Sequence, residues 1–245
     1  MANTMEIGSA LQRPCEGHTI HMHAGSRAAC IGVLATIVAT LLLSACNDED
    51  APAATMPVPP TPLQQAAPAM MGDSITAYWS GQGKVQLTET IYDLIPGVND
   101  AGIPGNTTGM MLARFQTDVL AYSPNVVVIL GGTNDLLSGS IDISNEAEMA
   151  NDAAAAGIPV ILCTIPASPV LDQTMAQQWN NEVAALATAN GYKLADYYTA
   201  TLRNGVPDPS LFISDREHPN AAGYARMWPV LQAQLVAEGV EVPAE

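Results

Sequence analysis

The chain has little positive charge. Its 245 residues carry 8 Lys and Arg against 24 Asp and Glu, a formal net charge of −16. The cations after residue 46 are Lys84, Arg114, Lys193, Arg203, Arg216 and Arg226, and they form no cluster. Phosphate binding needs grouped Lys and Arg, so nucleic acid and anionic headgroups are excluded as the main ligand. Aromatic residues make up 5% of the chain, too few for an evident stacking platform along a glycan. Cysteine is sparse and badly spaced for chemistry. Cys15, Cys30, Cys46 and Cys163 include no C-x-x-C pair, which excludes a zinc ribbon and a thioredoxin-type motif. Histidine is equally sparse: His18, His21 and His23 lie near the start, and His218 stands alone in the remainder. That set offers no metal site, and no organic cofactor is called for. What the chain does have is apolar content, 48% against 13% charged residues, enough for a real core.

The first third reads as an address. Residues 28–45 are almost continuously apolar, follow Arg27, and end Leu43-Ser44-Ala45 before Cys46. A basic flank, an apolar run and small residues form the pattern of a secretory signal. The Cys after the small residues resembles a bacterial lipobox. That resemblance implies cleavage before Cys46, lipidation of Cys46, and attachment of an exported protein to a membrane. An uncleaved anchor, since roughly 18 apolar residues nearly span a bilayer, or a plain secretory signal is the alternative. Met22 precedes a signal of ordinary length, so translation is expected to start there. Residues 46–67 include Pro57, Pro59, Pro60 and Pro62 and read as an extended tether. The domains expected are a signal region (1–45), the lipidated Cys and tether (46–67), a catalytic domain (68–240) and a short tail (241–245).

From Pro68 onward, short apolar runs alternate with helical patterns. Strands are expected at residues 69–71, 98–101, 125–130, 159–165 and 192–197. Helices are expected at residues 86–94, from Thr107 or Thr108 to about Tyr122, at 145–156 closed by Gly157, at 173–190 between Asp172 and Gly191, and from Asn220 to about Glu238. Met111, Phe115 and Val119 fall on one helical face. Strands separated by helices imply crossovers and a parallel sheet covered on both sides. The fold class is therefore α/β, a three-layer sandwich around a mostly parallel, flavodoxin-like five-stranded sheet. Reactive groups in such sheets gather at the carboxyl ends of the strands. That rule selects Gly72 to Ile75, Gly131 to Asp135, and the loop before the last helix.

His218 stands in Asp215-Arg216-Glu217-His218-Pro219. A carboxylate three residues back, in a tight turn, can accept one imidazole N–H and leave the other nitrogen free as a base. Ser74 follows the first strand at a helix start, where unpaired N–H groups and the helix dipole favour an oxyanion. Each feature has a plainer reading taken singly. Ser74 can be an ordinary helix cap, Asp215 a turn residue, His218 a packed histidine, and the Gly102, Gly105 and Gly131 regions simple turns.

Together these residues resemble the GDSL-type, or SGNH, hydrolases over nearly the whole domain. Gly72-Asp73-Ser74-Ile75-Thr76 resembles the first family block, with Ile75 where Leu is usual. Residues 99–108 resemble the second, Gly131 to Asp135 the third, and Asp215 to Pro219 the last. The resemblance implies a catalytic triad of Ser74, His218 and Asp215. It also implies an oxyanion hole from Ser74, Gly105 and Asn134, with Gly102 as the fallback glycine. No G-x-S-x-G elbow occurs, which disfavours the common α/β-hydrolase fold. The implied chemistry is two-step acyl transfer without a cofactor, on a small acyl ester. An ester of a lipid or of a short-chain acid is the first substrate reading; a carbohydrate O-acetyl esterase or an acyl thioesterase is the second. A surface lipoprotein that binds without catalysis is the rival from another class. Tyr78, Trp79, Leu136, Leu137, Ile165, Leu211 and Phe212 flank the site as acyl-pocket or core residues. The short stretch between Asp135 and Asn145 suggests a site without a large lid.

Overall fold

The structure, a computed structural model, describes residues 66–243. Cys46, the expected signal region, almost all of the expected tether and the last two residues lie outside the described residues. Five strands form one parallel sheet: β1 (Ala69–Gly72), β2 (Asn99–Gly102), β3 (Val127–Leu130), β4 (Val160–Cys163) and β5 (Lys193–Ala195). Their order is β2-β1-β3-β4-β5, the expected flavodoxin-like arrangement. Every residue of β1, β3 and β4 is buried, as continuous apolar strands covered on both faces require.

Among the described residues, eight α-helices connect and cover the sheet: α1 (Ser74–Trp79), α2 (Ile91–Leu94), α3 (Thr108–Asp118), α4 (Thr133–Leu137), α5 (Ser144–Ala155), α6 (Gln173–Asn190), α7 (Tyr197–Ala200) and α8 (Ala221–Ala237). Local chemistry sets their ends. Thr107 caps α3 by accepting from the Met110 amide, Asp172 caps α6 through the Thr174 and Met175 amides, and Asn220 caps α8 through that of Gly223. Gly191 ends α6 in the left-handed region. The stripe Met111, Phe115, Val119 is fully buried, as its spacing requires. With this strand order, the rule that crossovers are right-handed puts α3 and α5, which contact each other, on one face of the sheet and α1 and α8 on the other. On the latter face the Tyr224 hydroxyl donates to the Ile75 carbonyl at 2.7 Å, tying α8 to α1. Val240 and Val242 pack onto the core beyond α8.

Three elements differ from those expected. The helix expected over 86–94 is reduced to α2, because Thr90 and Asp93 form a capping box that starts the helix at Ile91. Gly131 to Asp135 is more than a turn: its second half is the start of α4. A small antiparallel hairpin, β6 (Leu202–Arg203) and β7 (Val206–Pro207), turns at Asn204-Gly205, both with positive φ. Asn-Gly favours the tight turn that joins the two strands. Among the described residues no helix is long and apolar enough to cross a membrane.

Candidate active site

The first, third and last motifs meet at the carboxyl end of the sheet. β1 ends at Gly72, and Asp73 caps α1 by accepting from the Ile75 amide at 2.8 Å. The cap is therefore Asp73, which frees the Ser74 side chain. Ser74 is the first residue of α1, so its own amide lacks an intrahelical acceptor. Its Oγ lies 2.8 Å from His218 Nε2.

His218 sits on the loop between Phe212 and Pro219, two residues joined by an isolated β-bridge. Asp215 Oδ2 is 2.9 Å from His218 Nδ1, and Asp215 Oδ1 accepts the amides of Glu217 and His218 at 3.0 and 3.1 Å. Burial alone would raise the Asp215 carboxyl; the two amides and the imidazole together hold it below its usual value. Arg216 takes a left-handed backbone conformation, φ 62°, at the tip of this turn. Its carbonyl accepts from the Ser168 hydroxyl at 2.8 Å, so the loop after β4 braces the turn. The Tyr78 ring packs against the imidazole, the two ring centroids 4.9 Å apart.

Asn134 is on the first turn of α4. Its Nδ2 donates to the Asn106 carbonyl at 2.9 Å and lies 3.4 Å from Asp73 Oδ2. This contact pair joins the first, second and third motifs. Asp73 is fully buried, and desolvation pushes its carboxyl up to about 7 despite the Ile75 amide, with the charges of Glu217 and Asp135 adding to the rise. Gly105 is exposed, with φ 81°, a conformation suited to glycine, and its amide has no acceptor among the described residues. The fallback Gly102 is different: its amide already donates to Asp100 Oδ1 at 2.9 Å. Of the two glycines, only Gly105 presents a free donor.

Gly132 allows α4 to start where it does. Its φ is 111°, and a Cβ there would strike the Trp179 ring of α6. Behind α4, Asp135 accepts from the Thr108 amide at 3.0 Å and from its hydroxyl at 2.8 Å, locking α4 to the start of α3. Glu146 of α5 is fully buried, and neither carboxylate oxygen has a hydrogen-bond partner among the described residues. Desolvation pushes it well above the usual carboxylate range.

Sequence reasoning missed Arg114. Its Nε donates to Asn106 Oδ1 at 2.8 Å, its Nη2 to the Gly72 carbonyl at 3.0 Å, and its Nη1 to Asp118 Oδ2 at 3.0 Å. One guanidinium thus joins the end of β1 to the loop carrying Gly105. From sequence only the i,i+4 pair with Asp118 was visible, and such pairs are usually surface ornaments of small effect.

The residues read as acyl pocket or core divide by burial. Trp79, Leu136, Ile165, Leu211 and Phe212 are buried core residues. Tyr78 is half-buried, and Leu137 is exposed. A cavity of about 400 Å³ lined by Pro68, Asn125 and Val240 lies at the amino end of the sheet, away from Ser74. Among the described residues no group of three His, Cys, Asp or Glu is placed to hold a metal ion.

Known proteins resemble the chain in sequence and in fold. Residues 70–226 match the GDSL-like Lipase/Acylhydrolase family. A GDSL-like lipase from Bacteroides thetaiotaomicron is 29% identical, with 69% of this chain and 88% of that one covered and a TM-score of 0.58. A Bacteroides fragilis protein is 27% identical, with 73% and 90% covered and a TM-score of 0.60. An acetylxylan esterase from Geobacillus stearothermophilus shares the fold at 21% identity, with 74% and 98% covered and a TM-score of 0.56. No curated protein is significantly similar to the chain.

Proposed function

The chain belongs to the GDSL-like lipase/acylhydrolase family, hydrolases of esters, and we propose that it is a serine esterase using Ser74, His218 and Asp215. The carrying observation is the row Ser74 Oγ, His218 Nε2, His218 Nδ1, Asp215 Oδ2, with contacts of 2.8 and 2.9 Å. With the ring proton on Nδ1 held by Asp215, Nε2 is the base. It takes the Ser74 proton as Oγ attacks the ester carbonyl. The proposed oxyanion donors are the Ser74 and Gly105 amides and the side-chain amide of Asn134, which turns from its contacts with the Asn106 carbonyl and Asp73 Oδ2 when substrate arrives. Losing one such donor costs about 3–4 kcal/mol in other serine hydrolases. His218 then protonates the leaving alcohol, and water repeats the cycle on the acyl-enzyme.

The substrates proposed are esters of lipids or of short-chain acids. The exposure of Leu137, three residues after Asn134, supports an apolar acyl group, and the short span from Leu137 to Ser144 supports an open mouth. Hydrolysis of p-nitrophenyl esters of graded chain length tests this reading, with Ser74→Ala as the control. Turnover by the wild type alone, greatest with an apolar acyl chain, is expected. Equal rates for the two proteins would remove the triad. Activity confined to acetyl esters of sugars, or to thioesters, would move the substrate class to the second reading.

We propose further that the protein is exported and held at a membrane by a lipidated Cys46. The apolar run after Arg27 and the Leu43-Ser44-Ala45-Cys46 sequence support this, and the Pro-rich stretch would serve as the tether.

A further inference from the structure

Glu217 lies between the two members of the DxxH pair and, among the described residues, its carboxylate accepts no hydrogen bond and approaches only the His218 ring as an ion-pair partner. Its Oε1 is 3.8 Å from His218 Nε2, the nitrogen that faces Ser74. Its charge is also felt at Asp73, the residue before the nucleophile. The carboxylate therefore sits on the reaction side of the imidazole, opposite the Asp215 side. Its main chain is fixed, because the Glu217 amide donates to Asp215 Oδ1 at 3.0 Å. Its side chain is 22% exposed, open enough to meet a ligand and sheltered enough to keep its field. Among the described residues no Lys or Arg lies within salt-bridge distance of it, and it accepts no hydrogen bond.

The other charges around the nucleophile do not cancel it. Asp215 faces Nδ1, and Lys84 reaches Asp215 Oδ2 at 3.8 Å from an exposed position. Arg114 is engaged by Gly72, Asn106 and Asp118. Asp73 adds negative charge as it ionises.

We infer that Glu217 is a specificity-determining residue that favours esters bearing a positive charge near the scissile bond and rejects those bearing a negative one. A cation in the leaving alcohol, such as an ammonium two carbons from the ester oxygen, comes to rest beside the carboxylate. An anion at the same place meets like charge in a partly desolvated site. The inference rests on the esterase reading above and narrows its substrate class.

Three butyrate esters of one shape test it: butyrylcholine, the neutral ester with a tert-butyl group in place of trimethylammonium, and the anionic ester in which one methyl of that group is a carboxylate. Wild-type kcat/KM should follow the order cation, neutral, anion, with roughly tenfold between the extremes at low salt and less at high salt. Glu217→Gln should bring the three within about twofold, and Glu217→Lys should invert the order. Glu241→Gln removes the same formal charge at the far end of the sheet and should leave the order as in the wild type. Ratios unchanged by Glu217→Gln, or changed equally by Glu241→Gln, overturn the assignment to Glu217 and leave the esterase reading standing. No hydrolysis of any ester by the wild type overturns both.

Discussion

Arg114 holds Asn106 through an Nε to Oδ1 hydrogen bond of 2.8 Å, and the Asn106 carbonyl in turn accepts the amide of Asn134 at 2.9 Å. A side chain on the first turns of α3 thereby sets the position of a proposed oxyanion donor on α4, with no direct contact between them. The same guanidinium grips the Gly72 carbonyl, two residues before the nucleophile. Positioning errors of about an ångström cost catalysis on the order of a hundredfold.

Arg114→Ala should therefore lower kcat by roughly ten- to a hundredfold, with a smaller effect on KM, since the donors it positions act on the transition state. Added guanidinium should restore part of the loss, and Arg114→Lys should be intermediate. A variant that melts earlier but turns over at the wild-type rate would reduce Arg114 to a structural role.

Asp73 ties stability to pH. Its carboxyl is raised from 3.8 to about 7 by burial, so the folded protein keeps this proton after the unfolded chain has lost it. The folded state then binds more protons between about pH 4 and 7, and stability falls as pH rises through that window. The contribution is fully present below the unfolded value and lost above the folded one. Asp73→Asn should flatten this part of the profile, by a few kcal/mol across the window as an upper bound. Urea unfolding of both proteins at about pH 4.5 and 7.5 reads the difference. Parallel profiles would mean that Asp73 is ionised throughout.

The proposed address predicts that the wild-type chain, expressed in a bacterium that processes lipoproteins, enters the membrane fraction with lipid on Cys46. Stable anchoring requires more than one acyl chain on that residue. Cys46→Ala should abolish both lipidation and this maturation. A soluble wild-type protein with an unmodified N-terminus elsewhere in the chain would contradict the proposal.

Much of the fold was legible because local signals and tertiary demands agree. The β-branched run at Val126 to Ile129 became the fully buried β3, and Asp172 and Gly191 bound α6 as read. The motifs gave Ser74, Asn134, Asp215 and His218, and the structure brings Ser74, His218 and Asp215 into one hydrogen-bonded row. What escaped depends on contacts distant in sequence. Gly131-Gly132 reads as a turn because nothing nearby announces that Trp179, on another helix, forces a glycine at the start of α4. Glu146 stands in the first turn of α5, where no local signal announces that packing buries it completely. Trp79, Ile165 and Phe212 adjoin the motifs in sequence but turn into the core. Arg114 and Glu217 acquire their roles only where strands and loops converge.

The central claim is that Ser74 is the nucleophile, and covalent labelling tests it most directly. A fluorophosphonate probe added to the native protein should attach once, on Ser74, as read by intact mass and peptide sequencing. Ser74→Ala should fold, as judged by an unchanged far-ultraviolet circular dichroism spectrum, and should neither be labelled nor hydrolyse ester. A folded Ser74→Ala protein that keeps its esterase activity, or a label found on another residue, would contradict the account.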